Sequence, residues 1–220
     1  MKSGETERFL RLAPEKKGRV LEAAIREFAE KGYAGASMNR VVGEAGISKG
    51  ALFQYFGSKS GLFVYVYKMA FGLVKDYLRA VREETKEEDF FRRLERIMDA
   101  GIRFIQTQPG LARIYYHLLY TGDSPYQEEM LRELKRESHR FIRSLVEHGM
   151  DKGQVRRDLN PDTAAFMLQS VLDRFLQAHH LEITAGPLRQ GMGLGETDRP
   201  NITELVALFR QGMGAPGGGT

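Results

Sequence analysis

Along almost the whole chain, apolar residues recur at intervals of three and four, the spacing of one face of an α-helix. Almost nowhere do they alternate as in a half-buried strand. The stripe Val20, Leu21, Ala24, Ile25 and Phe28 predicts a helix from Pro14 to about Lys31. Pro14 opens it at no cost in amide bonding, and Gly32 closes it. Met38, Val41, Val42 and Ala45 predict a short second helix, with Ser37 suited to its N-cap. Gly46 ends that helix, because glycine takes left-handed backbone angles without a steric penalty. Ile47 plugs the corner, Ser48 is a second N-cap, and Lys49 to Phe56 forms the next short helix. A long helix follows from near Ser58 to about Glu84, roughly 40 Å at 1.5 Å per residue. Further helices are expected over Glu88 to Thr107, Leu111 to Tyr120, Tyr126 to Lys152, Pro161 to Leu181 and Asn201 to Met213. Residues 1–13 read as frayed or partly ordered, Thr121 to Pro125 as a turn, 186–200 as a Gly-rich loop and 214–220 as a disordered tail. The expected fold is all-α.

The pair Met38–Ala45 and Lys49–Phe56 has the layout of a helix-turn-helix, whose second helix enters the DNA major groove. Two short core helices would share that layout, but the surface chemistry differs. Lys49, Gly50, Gln54 and Tyr55 give the second helix a cation, a bare backbone position, an amide and a phenol. These groups suit phosphates and base edges and suit a buried helix poorly.

The 220 residues suffice for one large or two small domains. A hydrophobic share of 42% and a charged share of 28% are those of an ordinary globular chain. With no cysteine, disulfides, thiolate catalysis and cysteine-bound zinc are excluded. The start, MKSGETERFLRLAPEKK, has no apolar signal core, and no run approaches the roughly 18 apolar residues of a membrane span, so a cytoplasmic protein without membrane contact is expected. Net charge is +4, unevenly placed: residues 1–60 hold 11 Lys+Arg against 7 Asp+Glu, whereas residues 61–220 hold 22 of each. The excess lies in the segment with the helix-turn-helix, as an electrostatic footprint for DNA requires.

Other constellations carry less. GMGLGE at 191–196 lacks the strand and following helix of a dinucleotide loop and reads as a connector. His179 and His180 diverge by about 100° on a helix and are poor co-ligands. His117, among Tyr115, Tyr116 and Tyr120, reads as a hydrogen-bonded core or pocket histidine. No nucleophile has a neighbouring base, so no catalytic residue, metal site or cofactor is expected.

Ile25, Phe28, Gly32, Tyr33, Ser37, Met38, Val42, Ala45, Gly46, Ile47, Ser48, Gly50, Leu52, Phe53, Tyr55, Phe56, Lys59 and Leu62 together resemble the DNA-binding domain of the TetR family of bacterial transcriptional regulators. The run AGISKGALFQYFGSK carries most of that resemblance. It implies a helix-turn-helix domain over 14–74 and an effector-binding and dimerisation bundle over 75–213. It further implies a homodimeric repressor on a palindromic double-stranded operator, released by a small effector. By the same resemblance Lys49, Gly50, Ala51, Phe53 and Gln54 face base edges, and Ser37, Ser48, Tyr55 and Lys59 meet phosphates. The last two helices would form the dimer through Leu168, Leu172, Phe175, Leu176, Leu205, Leu208 and Phe209, some of which must face the monomer core instead. A lipophilic effector would be walled by Phe104, Tyr115, Tyr116, Leu119, Phe141, Phe166 and Val171, with His117 or a tyrosine hydroxyl as a polar anchor. Two other readings stand beside this one: a ligand-independent DNA-architectural relative, and a helical carrier of lipophilic ligands that does not use DNA. The basic second helix argues against the carrier.

Overall fold

The computed structural model describes residues 3–120, 124, 126–191 and 201–215. Among the described residues the regular elements are α1 (Ser3–Leu10), α2 (Pro14–Gly35), α3 (Met38–Ala45), α4 (Lys49–Phe56), α5 (Lys59–Glu84), α6 (Phe90–Thr107), α7 (Pro109–Tyr120), α8 (Gln127–Asp151), α9 (Pro161–Gly191) and α10 (Ile202–Met213). One isolated β-bridge joins Val155 to Gly214. The fold is all-α. It divides into two compact units, Met1–Lys75 with Gln108–Leu131, and Asp76–Thr107 with Arg132–Thr220. The division differs from the expected one, because α1 and α7 both join the helix-turn-helix.

In the first unit, α2 buries Val20, Ala23, Ala24 and Phe28. Gly32 interrupts it with φ 64°, and one further turn reaches Gly35. The Phe28 ring meets the edge of Phe63 at 5.1 Å. α7 packs on α2 and buries Leu111, Ile114 and Leu118, spaced three and four apart. Gly110 permits that approach, since a Cβ there would lie 2.7 Å from Ile25 Cγ2. Residues 3–10, expected to be frayed or partly ordered, are helical. α1 is a helix whose Phe9 is 0% exposed, with its ring 4.8 Å from Phe56, 5.4 Å from Tyr65 and 5.9 Å from Tyr55. Three aromatic partners from α4 and α5 supply the burial that eight residues of helix lack on their own.

The second unit has one core, drawn from α6, α8, α9 and α10 around Phe90, Phe91, Leu94, Met98 and Val146. The inward stripe of α9 is Ala165, Leu168, Leu172 and Phe175, and that of α10 is Val206, Phe209 and Met213. This corrects the assignment of Leu168, Leu172, Phe175 and Phe209 to a dimer face: their side chains fill the protomer's own core. Leu176 and Leu205 are half-buried against the same core, and Leu176 occupies the notch at Gly101, where a Cβ would lie 2.6 Å from its Cδ2. Leu208 alone of that set is exposed, at 64%. The expected effector wall also changes. Phe166 is 68% exposed, and Tyr116 is buried on α7 in the first unit.

Two chain ends differ from expectation. α9 continues to Gly191, so residues 186–191 are helical. The segment after α10 is pinned at its start: Arg156 N–H donates to Met213 O at 2.9 Å and Ala215 N–H to Gln154 O at 3.1 Å. The remainder of the expected tail, the 192–200 loop and most of the Thr121–Pro125 turn lie outside the described residues. No helix among the described residues is long and apolar enough to cross a membrane, and no three His, Asp or Glu side chains among them are grouped to hold a metal ion.

Candidate nucleic-acid interface

The α3–turn–α4 unit is set by local chemistry. Gly46 takes φ 65° and ψ 40°, and its N–H returns to the last carbonyls of α3. Ile47 is half-buried at the corner. Ser48 Oγ accepts the Ala51 N–H at 3.1 Å, which satisfies one of the unpaired amides opening α4. Ser37 behaves differently. Its hydroxyl makes no capping bond, and its own N–H donates to Glu27 Oε1 at 2.7 Å. Glu27, 3% exposed on α2, also meets Arg40 Nε at 3.3 Å. A carboxylate from one helix thus fixes the start of α3 and one of its cations together. The residue hid in the sequence because it sits within the apolar stripe of α2, between Ala24 and Phe28.

α4 turns Leu52 and Phe56 inward and Lys49, Gly50 and Gln54 outward. Ala51, Phe53 and Tyr55 are half-buried on its flanks, with Tyr55 against Phe9. A Cβ on Gly50 would meet nothing closer than Ser48 Oγ at 3.9 Å. Packing within the chain therefore gives no reason for glycine at an exposed helical position, where alanine is about 1 kcal/mol better. α4 ends at Gly57, with φ 72°, and α5 opens at Ser58, whose Oγ accepts the Gly61 N–H at 3.0 Å. Lys59 lies at this corner. Its amine donates to Ala34 O at 3.0 Å and stands 4.9 Å above the Tyr33 ring, which leaves two of its three ammonium protons for other acceptors. The structure thus brings Ser37, Ser48, Lys49, Gly50, Gln54, Tyr55 and Lys59 into one unit, with a cation, an amide and an open backbone along the outer face of one short helix. That face suits a groove edge lined by acceptors and phosphates.

Residues 20–66 match the model of the bacterial regulatory proteins of the tetR family, and residues 88–213 match the tetracyclin repressor-like C-terminal domain. A TetR family transcriptional regulator from Chloroflexus aurantiacus has a similar structure, with TM-score 0.68 and 28% identity over 95% of this chain and 98% of that one. The transcriptional repressor AcnR of Corynebacterium glutamicum is 26% identical over 157 residues, 71% of this chain and 78% of its own. The regulator FadR of Bacillus subtilis, solved with stearoyl-CoA, shares the fold at TM-score 0.66 and 14% identity, over 88% of this chain and 95% of its own. The second of the two domain matches alone spans more than half of the chain. The protein belongs to the TetR family of DNA-binding transcriptional regulators.

Proposed function

We propose that this protein is a repressor that holds a near-palindromic operator as a homodimer, one α4 in the major groove of each half-site, and that a small lipophilic effector releases it. The outward face of α4, with Lys49, Gly50 and Gln54 exposed over a buried Leu52 and Phe56, carries this reading. Gln54 pairs with adenine and Lys49 with guanine, and the half-buried Ala51 and Phe53 offer a methyl and a ring edge to a thymine methyl. Ser37, Ser48, Tyr55 and Lys59 approach phosphates. Gly50 lets the DNA backbone come close. Gly50→Ala should accordingly raise the stability of the free protein by about 0.5–1 kcal/mol while weakening the complex with operator. Thermal melts and gel shifts read the two signs separately, and unchanged operator affinity would sink the close-approach role.

The dimer reading rests on what the protomer leaves outside. Phe166 and Met167 on α9 and Leu208 on α10 are large apolar side chains exposed on the second unit. A double substitution Phe166→Arg with Leu208→Arg touches no core residue, so it should leave the protomer folded. It should convert a dimer to monomers by light scattering, with operator binding reduced. Unchanged mass would place the interface elsewhere.

For the effector, the half-buried Phe104, Phe141 and Val171 of the second unit remain candidate wall residues. Tyr115, His117 and Leu119 are half-buried on α7, which belongs to the first unit. Phe104, Phe141 and Val171 carry no charge, which favours an uncharged or long-chain apolar ligand. Arg103, whose Nε–H donates to the Tyr77 hydroxyl at 3.0 Å, is the nearest candidate in sequence for an anionic head group. The effector acts by favouring one spacing of the paired heads, which must match half-sites about 34–36 Å apart. Repression is the activity for which AcnR is named, and a stearoyl-CoA complex is a property of FadR; both guide the choice of test.

Selection of bound genomic fragments, followed by gel shift in the presence of acyl chains, acyl-coenzyme A esters, planar cations and sugars, tests the whole reading. A ligand at about 100 times its dissociation constant should add about 2.7 kcal/mol of stability and weaken fragment binding. A response to cations or sugars alone overturns the lipophilic assignment. Fragment binding with no ligand response favours the ligand-independent alternative.

A further inference from the structure

The positive charge of the head is not where the recognition helix is. Residues 1–19 hold six Lys+Arg and three Asp+Glu, a net of +3, with Arg8 and Arg11 on α1 and its last turn and Lys16, Lys17 and Arg19 on α2, and residues 20–60 hold five and four, a net of +1. Two cations of the second group already face carboxylates: Arg26 meets Glu44 at 3.6 Å and Arg40 meets Glu27 at 3.3 Å. Arg8 and Arg11 are exposed, and among the described residues neither has a carboxylate within salt-bridge distance. Their spacing of three puts them side by side on α1 and its last turn, where Arg11 N–H still bonds Glu7 O at 3.2 Å.

The anchoring of α1 fixes where that pair stands. Phe9, buried between them in sequence, sets its ring 5.9 Å from that of Tyr55 and 4.8 Å from that of Phe56 of α4. Lys17 Nζ donates to Leu10 O at 3.1 Å, satisfying a carbonyl at the end of α1 and fixing its corner with α2. α1 is therefore held against the flank of the recognition helix, with two exposed arginines at positions flanking Phe9. Phosphates follow one another along a strand at about 3.4 Å of helix axis.

We propose that α1 is a second DNA-contacting element, in which Arg8 and Arg11 engage backbone phosphates flanking each half-site. The inference rests on the DNA-binding reading above and extends the footprint beyond the helix-turn-helix. These contacts carry no base information, so they add affinity and salt dependence and leave sequence preference to α4.

The test uses full-length protein and a duplex selected from genomic fragments by the wild type, in its shortest protected form and lengthened at both ends by about half a turn. Wild type should bind the longer duplex more tightly. Arg8→Ala with Arg11→Ala should remove that gain and lower the slope of log affinity against log salt by about two per protomer, with the order of preference among sequences unchanged. Arg8→Lys with Arg11→Lys should restore the slope, since charge is what the phosphates read. An unchanged slope and an unchanged length effect in the alanine variant overturn the proposal while the DNA-binding reading stands. A wild type that selects no fragment overturns both.

Discussion

Phe9→Ala should destabilise the DNA-binding unit by about 3–5 kcal/mol, as expected for removal of a fully buried phenylalanine. The side chain is 0% exposed and touches three aromatic rings, on Tyr55, Phe56 and Tyr65. Its loss leaves a cavity in the wedge between α1 and α4 that Leu10 beside it, 54% exposed, does not refill. The recognition helix then loses the support behind Tyr55 and Phe56. Two readouts should move together: the first unfolding transition in a thermal melt, and affinity for a selected duplex. Phe9→Leu, which refills most of the volume, should recover most of both. A melt unchanged by Phe9→Ala would mean that α1 contributes nothing to the unit.

The elements that sequence alone located best are those fixed by neighbours in the chain. α3 and α4 begin and end where the pattern puts them, because Gly46, Ser48 and Gly57 act within four residues of themselves. α1 was illegible for the opposite reason. One phenylalanine in a polar dozen becomes a helix anchor only once Tyr55, Phe56 and Tyr65 have been assembled around it. α9 shows a different limit. It carries two apolar sets, Ala165–Leu168–Leu172–Phe175 and Phe166–Met167, and nothing in their composition says which faces the core. Packing against α6 decides it, so Leu168, Leu172 and Phe175 fill the core while Phe166 and Met167 stay exposed. Glu27 was hidden by its apolar neighbours. A carboxylate inside a buried stripe signals a partner, but Ser37 N–H and Arg40 lie ten and thirteen residues away.

Gly61→Ala should cost about 2–3 kcal/mol, against the usual gain from replacing glycine in a helix. A Cβ at this position would lie 1.9 Å from the carbonyl oxygen of Phe56 and 3.1 Å from its carbon. Those are backbone atoms at the end of α4, fixed by the Gly57 N–H bond to Phe53 O at 2.7 Å, so no side-chain rotation relieves the clash. α5 must move away from α4, or its first turn must unwind and release the Ser58 cap. Either change shifts the recognition helix relative to Lys59 and should weaken binding to specific and random duplex alike. The same substitution at Gly72, on the same helix with nothing within 4 Å of its Cβ, should instead stabilise by about 0.5–1 kcal/mol. The pair isolates the close approach from helix propensity, since both exchanges have equal intrinsic value. If the two variants melt together, the α4–α5 corner has enough give to accept a methyl group, and the glycine there is not what sets the approach of the two helices.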